Sequence, residues 1–108
     1  MPLDVDITLY HANRCGYCKD FIPEWRKFDD LVKSGKMGHK NARFTSQDIE
    51  HGQVEKMIDR PKIAGYPTIK VTVKSNGKLL HDFEYDGKRR ASEMEMYLMS
   101  LVDGMKNN

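Results

Sequence analysis

The chain has 108 residues, 39% of them hydrophobic, with 18 basic against 16 acidic side chains and a formal net charge of +2. That length fits one domain spanning residues 1–108, large enough to bury a core without disulfide staples, and its two cysteines form one close pair, not the larger set that staples a small secreted domain. The basic residues are scattered, which argues against nucleic acid as a partner, and no apolar run is long enough to span a membrane. One close cysteine pair suits a reducing compartment, and Asp4 and Asp6 stand where a leader peptide would be basic, so a soluble, cytoplasmic protein is expected; a monomer is a separate expectation. The densest basic stretch, residues 33–40, lacks the adjacent Gly-Lys-Ser/Thr of a phosphate loop and reads as a solvated loop.

Taken in chain order, Val5 to Tyr10 alternates apolar and polar side chains with β-branched residues and predicts a strand. From Cys18 the apolar positions Phe21, Ile22, Trp25, Phe28 and Val32 recur at helical spacing. They predict a helix from Cys15 or Gly16 to about Ser34, stopped by Gly35 and bent by the internal Pro23. Ala42 to Thr45 predicts a short second strand. Ile49 to Ile58 predicts a helix with Val54, Met57 and Ile58 on its apolar face, ended before Pro61.

Pro67 to Lys74 and Leu79 to Tyr85 flank Asn76-Gly77, the strongest short hairpin signal, and predict two antiparallel strands. A last helix starts near Ala91 or Ser92, capped from Arg90 or Ser92, with Met94, Leu98, Leu101, Val102 and Met105 on one stripe. At this spacing the seven methionines read as core filler. The predicted order is β-α-β-α-β-β-α.

Cys15-Gly16-Tyr17-Cys18 falls at the first strand-to-helix junction. A sulfur there faces unsatisfied backbone N–H groups and the positive end of the helix, which favour the thiolate, the reactive form. Cys15 is therefore the expected attacking thiolate, and Cys18, one turn further in, the resolving thiol. Arg14 and Lys19 flank the pair and add positive charge. A zinc site that recruits His11, His39, His51 or His81 is the competing reading, along with an inert pair, but no second cysteine pair at finger-like spacing exists. Redox chemistry with no bound metal or cofactor is the expectation, the pair being recycled by an external reductant.

Three ordered segments resemble the thioredoxin superfamily, and in several stretches the catalytic domains of protein disulfide isomerases. The first is Cys15-Gly16-Tyr17-Cys18-Lys19 with Phe21-Ile22-Pro23-Glu24 behind it; the second is Ile63-Ala64-Gly65-Tyr66-Pro67-Thr68-Ile69-Lys70; the third is Tyr85-Asp86-Gly87-Lys88-Arg89. The resemblance covers about residues 5 to 102 and implies a minimal thioredoxin fold, an α/β architecture in which a central mixed four-stranded sheet is flanked by helices. It also implies a cis Tyr66-Pro67 bond that brings the Tyr66 backbone to Cys15. The same resemblance implies a substrate surface on Tyr17, Tyr66 and Pro67, with Arg89 as a cation able to approach Cys18. Protein or small thiol and disulfide molecules are the implied substrates.

The chain also departs from that pattern. The family's buried acid, six positions before the first cysteine, is Leu9 here, and the usual Trp before that cysteine is Arg14. Tyr17 before the second cysteine is similar to glutaredoxins, yet no Gly-Gly turn precedes the last helix, as their glutathione groove needs. The leading expectation is a thiol-disulfide oxidoreductase. A glutathione-dependent reductase and a non-catalytic protein-binding module are the alternatives.

Overall fold

The computed structural model describes residues 2–105. Its elements are β1 (Leu3–His11), α1 (Gly16–Lys33), β2 (Ala42–Glu50), α2 (His51–Val54), β3 (Thr68–Ser75), β4 (Lys78–Glu84) and α3 (Ala91–Met105). The four strands form one mixed sheet in the order β2-β1-β3-β4, with β1 parallel to β2 and antiparallel to β3, and β4 antiparallel to β3. This is the thioredoxin-type α/β architecture expected from the sequence.

Strand alternation sets the two faces of β1. Val5, Ile7 and Leu9 are fully buried in one core with Phe21, Trp25 and Phe28 of α1 and Met94, Leu98 and Val102 of α3. The intervening positions carry polar groups that are hydrogen-bonded across the sheet. Thr45 donates to the Asp6 carboxylate at 2.8 Å and the Gln47 amide to the Thr8 hydroxyl at 3.2 Å. On that same face burial pushes the Tyr10 phenol up, and the charges of Asp6 and Asp82 push it further.

α1 contains Pro23 without interruption. It ends where Gly35 takes φ +78°, with Gly35 N–H donating to the Val32 carbonyl at 3.2 Å and Lys36 N–H to that of Leu31 at 3.1 Å. That pair of bonds satisfies the last carbonyls of the helix and requires a residue at ease in the left-handed region. Asn76 and Gly77 take φ +52° and +80°, so a two-residue turn links β3 to β4 as their sequence signals.

The sequence-based expectation fails for the second helix. β2 runs five residues beyond Thr45, because its backbone pairs in parallel with β1 as far as His11 opposite Glu50. Beyond Glu50 the chain makes a single helical turn. The Glu50 carboxylate accepts Gly52 N–H at 2.7 Å, and the Gln53 side chain accepts Glu50 N–H at 3.0 Å, a capping box that starts a helix. Gly52 is a poor helix former, and after Val54 the chain closes with 3₁₀-type bonds from Lys56 to Gln53 and Met57 to Val54. Val54 is buried, but Met57 is exposed and Ile58 fully so, which leaves no apolar helix face.

The start of α3 gains a partner from α1, and the methionines divide between core and surface. Arg90, one of the two expected cap positions, is the N-cap of α3, its carbonyl accepting the Met94 N–H at 3.0 Å, and the Ala91 N–H is taken by the Glu24 carboxylate of α1 at 3.0 Å. Met37 and Met94 are core residues as expected, whereas Met57 and Met96 are on the surface.

Candidate functional site

β1 delivers the chain to a tight loop, residues 12–15, and α1 begins immediately after it. Arg14 sits at φ +63°, a left-handed conformation uncommon for a side chain without glycine's freedom. Cys15 is the N-cap, with extended φ −103° and ψ 112°. Its sulfur occupies the place of a capping oxygen and accepts the Cys18 N–H at 3.1 Å. Cys15 and Cys18 are joined as a disulfide, their Cα atoms 5.2 Å apart. Cys15 is partly exposed, while Cys18 is 3% exposed and faces inward.

The Tyr66-Pro67 bond is cis, and the Tyr66 carbonyl oxygen lies 3.7 Å from Cys15 Sγ. Tyr17, between the cysteines, is 73% exposed. The expected platform residues Tyr17, Tyr66 and Pro67 are thus found with Cys15 at the N-terminus of α1 and the start of β3. Tyr66 has a partner that sequence reasoning missed: its hydroxyl is 2.6 Å from His51 Nδ1, the rings meet edge-on, and His51 Nε2 lies 3.0 Å from Glu55. His51 is fifteen residues away on the one-turn α2, and an expected ten-residue helix gave no reason to place it there.

Behind the pair is a cleft of about 610 Å³ whose wall includes Cys18, Arg14, Lys19 and Arg26. His11 and Asp48 stand on the sheet side of the same cleft, with His11 Nε2 2.9 Å from Asp48 Oδ2. The strand period could have flagged this histidine, since positions 5, 7, 9 and 11 share a face. Leu9, where the resemblance puts a buried acid, is fully buried and apolar.

Arg14 therefore lines the same cleft as Cys18. Arg89 does not line that cleft; it is exposed and borders a separate groove with Pro67, Ile69 and Tyr85. Near that groove the Tyr85 hydroxyl donates to the Lys88 carbonyl at 2.6 Å, and burial pushes the Tyr85 phenol up. Among the described residues no cluster of three or more His, Cys, Asp or Glu side chains is placed to hold a metal ion, and no helix is long and apolar enough to cross a membrane.

The thioredoxin family model matches residues 4–100. Protein disulfide-isomerase 2-3 of Arabidopsis thaliana is 32% identical over 98 residues, covering 90% of this chain and 20% of the relative. Human protein disulfide-isomerase A6 is also 32% identical over 98 residues, with 91% of this chain and 20% of the relative covered. This chain thus spans about a fifth of the length of these relatives.

Among solved structures, the Trx4 domain of ERdj5 superposes with a TM-score of 0.71 at 15% identity, covering 94% of this chain and 82% of that one. The first thioredoxin domain of mouse protein disulfide-isomerase A4 gives 0.64 at 24% identity, covering 92% and 64%. These structural likenesses speak for the fold. Together with the family match over nearly the whole chain, they identify this protein as a member of the thioredoxin family, similar to the thioredoxin domains of protein disulfide isomerases.

Proposed function

We propose that this chain is a thiol-disulfide oxidoreductase that exchanges disulfides with protein substrates through Cys15 and Cys18. The observation that carries the reading is the asymmetry of the pair: a partly exposed sulfur caps the N-terminus of α1, and a buried sulfur sits one turn behind it within bonding reach. In the reducing direction the Cys15 thiolate attacks one sulfur of a substrate disulfide, and a mixed disulfide forms as the other substrate sulfur leaves as thiolate. Cys18, once deprotonated, attacks Cys15 Sγ. The Cys15–Cys18 bond forms, the bond to substrate breaks, and two electrons have passed to the substrate.

An extended substrate segment is held by backbone pairing at Tyr66, whose carbonyl already faces Cys15, with Tyr17 as an exposed aromatic contact. Arg14 adds positive charge at the pair. Arg89, across the Pro67 groove, is the mobile cation that assists resolution. An external reductant restores the dithiol. The cytoplasmic placement is part of this reading and is supported by the single close cysteine pair, which suits a reducing compartment.

A turnover assay with an insulin-like disulfide substrate tests the proposal. A rate that is lost in Cys15→Ser supports it. A protein-binding module would give no Cys15-dependent rate at all.

A further inference from the structure

Resolution requires Cys18 to lose a proton, and its surroundings oppose that. It is 3% exposed, and burial in apolar surroundings disfavours a thiolate. Leu9, where the family carries its acid, is fully buried and has no proton acceptor. Protein groups able to accept that proton stand in the cleft that Cys18 lines.

The charged and titratable groups on that cleft come from three elements. Arg14, Lys19 and Arg26, from the loop and α1, are cations and accept nothing. Asp29 of α1 is committed to a network away from the pair, one carboxylate oxygen bonded to Ser46 Oγ at 2.5 Å and the other to Lys33 Nζ at 2.9 Å. His11 of β1 and Asp48 of β2 remain. The register puts Leu9 opposite Asp48 in a parallel pair, so Asp48 shares the face of Leu9, and His11, two residues on, shares it too. The imidazole is 19% exposed and the carboxylate 53%, with Nε2 bonded to Asp48 Oδ2 at 2.9 Å and no hydrogen bond to Nδ1 among the described residues. A carboxylate behind one ring nitrogen holds the ring in one orientation and makes the other nitrogen the acceptor, and imidazole is a side chain suited to general acid–base proton transfer.

We infer that His11, oriented by Asp48, is the general base that takes the Cys18 proton, through water in the cleft, during resolution of the mixed disulfide. Asp48 is a positioning residue. This rests on the oxidoreductase reading of the cysteine pair. The proton passes from Cys18 Sγ to His11 Nδ1 and is returned to the departing substrate thiolate or to solvent. The three cations of the cleft hold the thiolate while it exists.

The reduced full chain reacting with 5,5′-dithiobis(2-nitrobenzoate) reads the two steps separately. Cys15 attack releases a first coloured thiolate, and Cys18 attack on the resulting mixed disulfide releases a second. His11→Gln, which keeps a polar contact to Asp48 but does not titrate, is expected to leave the first release at the parent's rate. It slows the second about a hundredfold at pH 7, the usual scale for a lost general base, and added imidazole restores part of it in His11→Ala. Asp48→Asn is expected to slow the second release less and to change its dependence on pH between 5 and 8. Absence of any Cys15-dependent first release overturns the oxidoreductase reading itself. A normal first release, with the second unchanged in rate and pH profile in His11→Gln, overturns only the inference. If His11→Gln fails to fold, Asp48→Asn decides: an unaltered second release and pH profile removes the dyad.

Discussion

Reducing the Cys15–Cys18 disulfide frees two thiols in opposed environments, and their reactivities are expected to diverge accordingly. The Cys15 sulfur already accepts the Cys18 N–H at 3.1 Å, and it stands at the N-terminus of an 18-residue helix. A hydrogen bond to a charged group contributes about 1.5–3 kcal/mol and a helix N-terminus about 0.3–1 kcal/mol. Part of the hydrogen bond is present with the neutral thiol as well, so we take about 2 kcal/mol as the differential preference for the thiolate. At about 1.4 kcal/mol per factor of ten, that raises the thiolate-to-thiol ratio of Cys15 roughly thirtyfold over a free cysteine. Cys18 is buried, which moves it the other way. Iodoacetamide alkylation from pH 5 to 9, with each site quantified by mass spectrometry, is expected to modify Cys15 first at every pH and to place its titration below that of a free thiol. Faster modification of Cys18 would refute the assignment of roles, and a Cys15 that titrates like free cysteine would refute the capping argument.

Other substitutions test the packing. Phe28 is fully buried against Trp25, ring centroids 5.5 Å apart. Phe28→Ala should cost about 3–5 kcal/mol in denaturant unfolding, whereas Ile58→Ser, at a fully exposed position, should stay within about 0.5 kcal/mol; a large loss at Ile58 would restore the discarded helix face. A Cβ on Gly87 would lie 2.6 Å from the Tyr85 hydroxyl oxygen and 2.8 Å from Cζ of a buried ring, so Gly87→Ala should cost about 1–3 kcal/mol, and an unchanged melting curve would contradict the contact.

The Lys27 hydrogen bond and then the Ala91 N–H hold the Glu24 carboxyl below its usual value of 4.5. A depressed carboxyl contributes stability that is present above the unfolded value and lost as pH falls through the folded one. Unfolding measured below pH 4.5 should therefore show a loss that Glu24→Gln reduces, and parallel pH curves for the two proteins would refute the hydrogen bonds assigned to the Glu24 carboxylate.

Much of this arrangement is legible in the residues because several independent signals agree on it. The alternation of Val5, Ile7 and Leu9, the turn at Asn76-Gly77 and the stop at Gly35 each reflect a local requirement that the structure meets. The cysteine pair is legible for the same reason, since the N-cap position is set by the loop and the first turn of one helix. What escaped is decided by long-range pairing. Ile49 to Ile58 carries helical spacing, but parallel pairing with β1 takes it as strand through Glu50, and Gly52 limits the remainder to one turn. The contacts of His11 with Asp48 and of His51 with Tyr66 span 37 and 15 residues, and only the register of β1 against β2 and the path of the loop before β3 create them. The loop after β4 sets Arg89 on the Pro67 groove, a placement that the residues around it do not signal.

The most direct test of the central claim is to trap the intermediate. Cys18→Ser leaves Cys15 able to attack and removes the group that releases the substrate, so incubation with a disulfide-containing protein should accumulate a covalent adduct. That adduct should be joined through Cys15, reversible by dithiothreitol and absent in Cys15→Ser. Failure of Cys18→Ser to form any Cys15-linked mixed disulfide, under conditions where it remains folded and reduced, would contradict the account.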